Sequence, residues 1–72
     1  MNTYIERKLK KIASTAREKR IILSCDIYYD DLRSEFVVKL HNGFGISEHF
    51  RSNHIRKSLK MALKWLEGLR RV

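Results

Sequence analysis

The stretch that decides the fold is IILSCDIYYDDLRSEFVVKLHNGFGISEHF, residues 21–50. Apolar and polar side chains alternate over residues 21–29, and this period of two is typical of a half-buried β-strand. The same alternation returns over residues 35–40, and a third run extends from about residue 44 to residue 50. We therefore expect three consecutive strands that form a three-stranded antiparallel meander with one apolar face.

A turn at Asp30-Asp31 is predicted to join the first two strands, because aspartate is favoured in turns. A tight turn there brings the apolar positions of both strands to the same face of the sheet, which supports the predicted register. The expected cross-strand pairs are Cys25 with Phe36 and Leu23 with Val38.

The second turn is predicted at Asn42-Gly43, a dipeptide that is typical of β-hairpins. A two-residue loop would set apolar residues opposite polar ones, whereas a loop over residues 41–43 keeps the apolar faces together. We therefore expect a three-residue loop with Gly43 in the left-handed conformation. The expected cross-strand pairs are Leu40 with Phe44 and Val38 with Ile46.

A helix is predicted on each side of the strands, over residues 4–19 and residues 53–70. In both segments the apolar residues recur every three or four positions, which places them on one helical face. Ser52 or Asn53 is the expected N-cap of the second helix. Because both helices must cover the apolar sheet face, residues 1–72 are expected to form a single α+β domain. Its architecture is a two-layer α-β-β-β-α sandwich with both helices on one face.

The composition narrows the classes of function. The chain has 72 residues, with 16 Lys and Arg against 8 Asp and Glu, which gives a net charge of +8. A surplus this basic favours an acidic partner, most often nucleic acid. The single cysteine, Cys25, excludes an intramolecular disulfide and a multi-cysteine zinc site, and the strand pattern directs it toward the core. Neither a metal nor a cofactor is expected.

The sequence also bears on location and assembly. No apolar run approaches the roughly 20 residues that a membrane span needs. The charged first eleven residues lack the apolar segment of a secretory signal. We therefore expect a cytoplasmic protein without a membrane partner. A homodimer formed through an edge strand is an open alternative, since neither predicted edge carries proline.

The basic residues of the second helix are predicted to lie on one side of it. At about 100° per residue they fall within an arc of roughly 100° opposite the apolar stripe, and Glu67 is the one acid among them. Such a row is either a solvated surface or a stripe that contacts phosphates, and the near absence of acids favours the stripe. The predicted nucleic-acid-binding residues are Arg56, Lys57, Lys60, Lys64 and Arg71, assisted by Lys10, Lys11 and Arg17 of the first helix and by His54.

The segment Arg56-Lys57-Ser58-Leu59-Lys60, together with the α-β-β-β-α order, resembles the double-stranded RNA-binding domain. That family carries a Lys-Lys-x-Ala-Lys motif at the start of its last helix. The resemblance implies that Arg56, Lys57 and Lys60 take the three basic positions, which contact phosphates across the RNA major groove. Leu59 stands at the position of the motif's alanine. The implied function is non-enzymatic binding of duplex RNA, in preference to duplex DNA, without sequence specificity.

Two other functions fit the sequence. The first is a small inhibitor or adaptor, of the kind found in phages and mobile elements, whose basic helix docks on an acidic surface of a larger protein. The second is a small ribonuclease that uses a strand histidine, His41 or His49, as a general acid or base. In the predicted registers Asp26, Glu35 and His49 also align across the exposed sheet face. There they form either a surface ladder or a metal-binding or acid–base site.

Overall fold

The structure, a computed structural model, describes residues 3–70 and confirms the predicted order of elements. The elements are α1 (Thr3–Glu18), β1 (Ser24–Asp30), β2 (Glu35–His41), β3 (Ser47–Ser52) and α2 (Ile55–Glu67). The strands form one antiparallel sheet in the order β1-β2-β3, so β1 and β3 are its edges. No helix within this part of the chain is long and apolar enough to cross a membrane.

A single core lies between the sheet and the two helices, as the apolar alternation predicts. α2 packs over β2 and β3, and α1 lies beside α2. Trp65 of α2 borders this core, with its ring centre 5.8 Å from that of Phe50. Burial of apolar surface is the main stabilising term for such a fold. The buried core residues are Ile12, Ala16, Val38, Leu40, Phe50, Leu59, Ala62, Leu63 and Leu66.

α1 and α2 run side by side in the same direction. Near their starts, the guanidinium carbon of Arg56 lies 4.5 Å from the centre of the Tyr4 ring. Near their ends, the Lys19 ammonium donates a hydrogen bond to the backbone carbonyl of Leu69. Because β3 leads into α2 and runs parallel to β1, the starts of both helices share one end of the molecule with the β1–β2 loop.

The pairing of β1 with β2 differs from the predicted register by four residues. Cys25 lies opposite Leu40 and not opposite Phe36. Val38 lies opposite Ile27 and not opposite Leu23. The connection is a four-residue loop, residues 31–34, in place of the tight turn. Since an even shift keeps every side chain on its predicted face, the apolar face is as expected although its partners are not.

The pairing of β2 with β3 is also displaced by four residues. Leu40 lies opposite Glu48 where Phe44 was expected, and Val38 lies opposite Phe50. β3 therefore begins three residues later than predicted. Phe44 is left in the connecting loop and not in the sheet.

Asn42 builds the β2–β3 loop. Its side-chain oxygen accepts hydrogen bonds from the backbone N–H of Phe44 at 2.8 Å and of Ile46 at 3.0 Å. The left-handed φ of 105° occurs at Gly45, so the prediction for Gly43 is wrong. The longer loop is favoured because one side chain satisfies two of its backbone donors.

α2 begins two residues later than predicted. β3 continues through Ser52, and His54 is the N-cap residue, with an extended backbone and no side-chain cap hydrogen bond. The prediction of a cap at Ser52 or Asn53 is therefore wrong. The first helical hydrogen bonds run from the backbone N–H of Lys57 and of Ser58 to the carbonyl of His54.

α1 ends in a reversal that places Arg20 in the left-handed conformation, with φ of 58°. The Arg20 N–H donates to the carbonyl of Arg17, and the Ile21 N–H donates to the carbonyl of Ala16. These two bonds define a Schellman motif. Glycine is favoured at this position because it has no β-carbon to crowd the backbone.

We expect Arg20→Gly to raise the free energy of unfolding by about 0.5–1 kcal/mol, since it removes the cost of a left-handed non-glycine residue. Urea denaturation followed by Trp65 fluorescence measures the change. Arg17→Gly, within the helix, is the matched control and should lower the same free energy by about 1 kcal/mol. Effects of the same sign at both positions would contradict this account.

Cys25 is directed toward the core, as the alternation predicts. Burial, and to a smaller extent the neighbouring Asp26 carboxylate, raises the pKa of the Cys25 thiol to about 11. The thiol therefore stays protonated near neutral pH. Because the thiolate is the nucleophile, a protonated thiol reacts slowly with alkylating reagents.

We expect the native protein to react with iodoacetamide at pH 8 at least about a hundredfold more slowly than the chain in denaturing urea, where a cysteine has its ordinary pKa near 8.5. Mass spectrometry of timed samples measures both rates. Similar rates would mean that the fold does not protect the thiol.

Candidate nucleic-acid interface

Charge is divided between the two layers of the fold. The helical segments, residues 3–20 and 55–70, hold twelve Lys and Arg but only three Asp and Glu. The sheet and its loops, residues 21–54, hold three Lys and Arg against five Asp and Glu. The helix layer is therefore strongly positive and the sheet layer weakly negative, so an anionic surface is attracted to one side of the molecule.

The predicted basic row on α2 is exposed. Arg56 and Lys57 lie in the first turn of the helix, closer to its tip than a start at residue 53 would place them. Lys60 and Lys64 follow at intervals of about one turn. No member of this row forms an ion pair with an acid of the described chain. Arg71, the fifth predicted residue, lies outside the described residues.

Two buried residues fix the orientation of this row. Ser58 is fully buried, and its hydroxyl donates a hydrogen bond to the Phe36 carbonyl of β2 at 2.9 Å. Leu59, at the position of the motif's alanine, is fully buried in the core. Because these two side chains point inward, the flanking Lys57 and Lys60 are exposed to solvent.

The predicted residues of α1 are exposed, but their charges are not equally available. Lys10 forms an ion pair with Glu6 at 3.3 Å, so its charge is partly compensated. Lys11 and Arg17 form no ion pair with the acids of residues 3–70. Since the helices run in the same direction, Lys11 lies nearer than Arg17 to the first turn of α2.

Two further cations of α1, Arg7 and Lys8, are not among the predicted binding residues and lie at the same end of the molecule. Together with Tyr4 and Lys11 they line an open depression on α1. The Lys8 ammonium lies 5.6 Å from the centre of the Tyr4 ring, which also carries the Arg56 guanidinium. The four-residue spacing from Tyr4 to Lys8 is visible in the sequence. The approach of Arg56 to the same ring from the other helix is not visible in the sequence.

His54 lies at the start of the basic row on α2, and its side chain is exposed. Its backbone carbonyl accepts the first two hydrogen bonds of the helix. Within the part of the chain that the structure describes, its imidazole forms no hydrogen bond and no ion pair. The ring is therefore open to solvent at the start of the helix.

The exposed face of the sheet carries a different row from the predicted one. Asp26 lies opposite Lys39, and Lys39 lies opposite His49. Glu35 lies at the other end of β2, opposite Asp30, because of the shift in register. The predicted alignment of Asp26, Glu35 and His49 is therefore wrong. Among the residues that the structure describes, no group of three or more His, Cys, Asp or Glu side chains could hold a metal ion.

The two candidate ribonuclease histidines lie on this exposed face, away from the helices. The Nε2 atom of His41 is 2.9 Å from the Oδ2 atom of Asp26, and both side chains contact solvent. His49 is exposed on the edge strand β3. Neither histidine lies on the side of the molecule where the basic row of α2 would attract a nucleic acid.

Asp30 anchors the β1–β2 loop. Its carboxylate accepts hydrogen bonds from the backbone N–H of Leu32 and Arg33, and from the side chain of Arg51 at 3.1 Å. Desolvation alone would raise the pKa of this carboxyl, but the hydrogen bonds and the charge of Arg33 outweigh it, so the pKa of Asp30 lies below its ordinary value. Arg33 and Arg51 therefore compensate the negative charge of Asp30.

Apolar side chains are exposed at the opposite end of the molecule. Ile22 is 72% exposed and Phe44 is 78% exposed, and with Ile21 and Ile46 they help to line a second open depression. The Asn42 amide donates a hydrogen bond to the Ile22 carbonyl at 2.9 Å, and its oxygen accepts one from the Phe44 N–H. A hydrogen-bonded loop therefore holds both apolar residues in solvent.

The chain was compared with protein families, curated proteins and solved structures, and nothing matches it in any of the three comparisons. What it shares with the double-stranded RNA-binding domain is the α-β-β-β-α order with three antiparallel strands. Function is therefore inferred from the charges, burial and contacts of the residues themselves.

Proposed function

We propose that this protein binds nucleic acid without catalysing a reaction on it. Its ligand is duplex RNA, contacted at the phosphate backbone with little sequence preference, chiefly through α2. The observation that carries this proposal is the division of charge, because the basic surplus lies in the helix layer while the sheet layer is weakly negative. The exposed row of α2 forms the centre of that surface.

Phosphate contacts account for the lack of acids beside the basic row. A surface that serves only solubility usually mixes both signs of charge. Along α2, in contrast, the four described cations form no ion pair within residues 3–70. Each phosphate that they neutralise releases condensed counterions, which favours binding of any sequence alike.

The resemblance to the double-stranded RNA-binding domain supports duplex RNA over other nucleic acids. The order of elements agrees with that family along the described chain. Arg56, Lys57 and Lys60 lie at the start of the last helix, where the family carries its basic motif. A shared fold does not by itself determine function, so the ligands must be compared directly.

Fluorescence anisotropy with labelled duplex RNA, duplex DNA and single-stranded RNA of equal length, each over a salt series, tests the proposal. We expect the tightest binding to duplex RNA. The logarithm of the affinity should fall linearly with that of the salt concentration, with a slope near −0.9 for each phosphate neutralised. Weak binding of all three ligands that disappears near physiological salt would reject the proposal.

The same samples test the non-enzymatic role. Gel electrophoresis of the RNA after the titration should show intact strands. Cleavage that both persists in the purest preparation and disappears in His41→Ala or His49→Ala would reject that role and favour a ribonuclease.

The second candidate function is an adaptor that docks on an acidic protein surface. The exposed pair of Ile22 and Phe44 favours it, because phosphates make no use of apolar side chains, whereas protein interfaces have an apolar centre within a polar rim. The net charge of +8 specifies an acidic partner. A pull-down from nuclease-treated lysate, followed by reconstitution from purified proteins, tests this function. Reconstituted binding that Phe44→Ser abolishes would support it, and binding that survives the exchange would exclude the pair from the interface.

A further inference from the structure

We infer that the depression on α1 beside the Tyr4 ring binds a single phosphate group, which Lys8 of α1 and Arg56 of α2, the two cations that contact this ring, hold jointly. The inference rests on the proposed function only for the source of the phosphate. The phosphate-binding chemistry of the site can be tested without any nucleic acid.

The first argument is the position of the two cations. The Arg56 guanidinium carbon lies 4.5 Å from the centre of the Tyr4 ring, and the Lys8 ammonium lies 5.6 Å from it. Cation–π attraction holds a cation within about 6 Å of such a ring. Tyr4 is itself half-buried and packs against the core, so the ring is a fixed support for both cations.

The second argument is uncompensated charge. Arg7 and Lys11 line the same depression as Lys8, and like charges four residues apart destabilise a helix. The nearest acid in sequence, Glu6, is paired with Lys10. A bound anion would relieve the repulsion among cations that the fold has brought together from two helices.

The third argument concerns the chemistry of the anion. The two cations at the Tyr4 ring come from different helices, and they are an ammonium and a guanidinium group. A phosphate group presents several oxygens in different directions, so it can accept bonds from donors on both sides. A backbone phosphate, a terminal phosphate of a strand and a free phosphate compound all share this chemistry.

NMR titration of the ¹⁵N-labelled protein with inorganic pyrophosphate tests the site. We expect the largest shifts at the backbone amides of residues 4–11 and 55–57. Arg56→Gln and Lys8→Gln should each weaken pyrophosphate binding by about fivefold to tenfold, because each removes a charge-assisted contact to the anion.

Matched controls separate this site from diffuse attraction. Lys39→Gln and Arg70→Gln each remove one positive charge away from this site, since Lys39 lies on the exposed face of the sheet and Arg70 follows the far end of α2. Neither residue is among the proposed phosphate contacts, so each should change the affinity by less than about twofold, the screened effect of a distant charge. Tyr4→Leu keeps every charge and should weaken binding as Lys8→Gln does. Equal effects of Arg56→Gln and Arg70→Gln would overturn the inference.

Duplex RNA with a 5′-phosphate and the same duplex with a 5′-hydroxyl distinguish the sources of the phosphate. If the phosphorylated duplex binds more tightly and Arg56→Gln removes this preference, the site binds the phosphate at a strand end. If both duplexes bind equally and Arg56→Gln weakens both, the site binds a backbone phosphate. If pyrophosphate causes no localised shifts but the duplex binds normally, the site is rejected and the proposed function is retained. Localised pyrophosphate binding without duplex binding supports the site and rejects the proposed function.

Discussion

We expect the affinity for duplex RNA to fall by roughly 10²–10³-fold near physiological salt when glutamine replaces all four described cations of α2 together. These cations are Arg56, Lys57, Lys60 and Lys64. The reason is that four phosphate contacts disappear, so the slope of log affinity against log salt should fall by about 3 to 4. Anisotropy titrations over a salt series measure both quantities. The fold should be retained, because all four side chains are exposed, and circular dichroism checks this.

The control must remove charge elsewhere. A variant with glutamine at Arg20, Lys39 and Arg70 loses three positive charges but keeps the basic row of α2. Its affinity should fall far less than that of the four-residue variant. If the two variants lose affinity in proportion to the number of positive charges removed, binding depends on the charge of the whole molecule and not on α2.

Replacement of Leu59 by alanine is expected to lower the free energy of unfolding by about 2–5 kcal/mol. Leu59 is fully buried in the core, so alanine leaves a cavity in addition to the lost apolar burial. Alanine is the residue that the double-stranded RNA-binding motif carries at this position. The expected loss is nevertheless large, because a domain of this size has only about 4–11 kcal/mol of stability in total. Urea denaturation followed by Trp65 fluorescence measures the loss.

Met61→Ala is the control for this prediction. Met61 lies on the same helix, but its side chain is 44% exposed, so the exchange should cost less than about 1 kcal/mol. Equal losses for the two exchanges would mean that Leu59 is not the core contact that the structure describes. Folded Leu59→Ala protein should also bind duplex RNA normally, because the exposed cations that flank this position are unchanged.

The architecture could be read from the sequence, and the strand registers could not. Alternation over residues 21–29 and residues 35–40 directs apolar side chains to one face, and this pattern is a local property of each strand. Which residues lie opposite each other depends on loop length. The carboxylate of Asp30 and the amide of Asn42 each stabilise a loop longer than the turn dipeptides suggest, and both registers move by four residues.

Part of the candidate site was also visible in the sequence. The row of α2 is local, because helical periodicity alone places Lys60 and Lys64 opposite the buried leucines. The alignment of Asp26 with Glu35 and His49 depended on two registers, and the register shift removed it. The contact of Arg56 with Tyr4 joins residues from opposite ends of the chain, so no local pattern contains it.

The sequence by itself determined the order of the elements, the face that each buries and the basic surplus of the helices, because these follow from short-range periodicity and composition. Only the tertiary structure decided the register of the strands, the parallel course of α1 and α2, and the contact of Arg56 with the ring of Tyr4. These features depend on loop closure and on packing between distant segments. Such contacts form only when the whole chain has folded around one core.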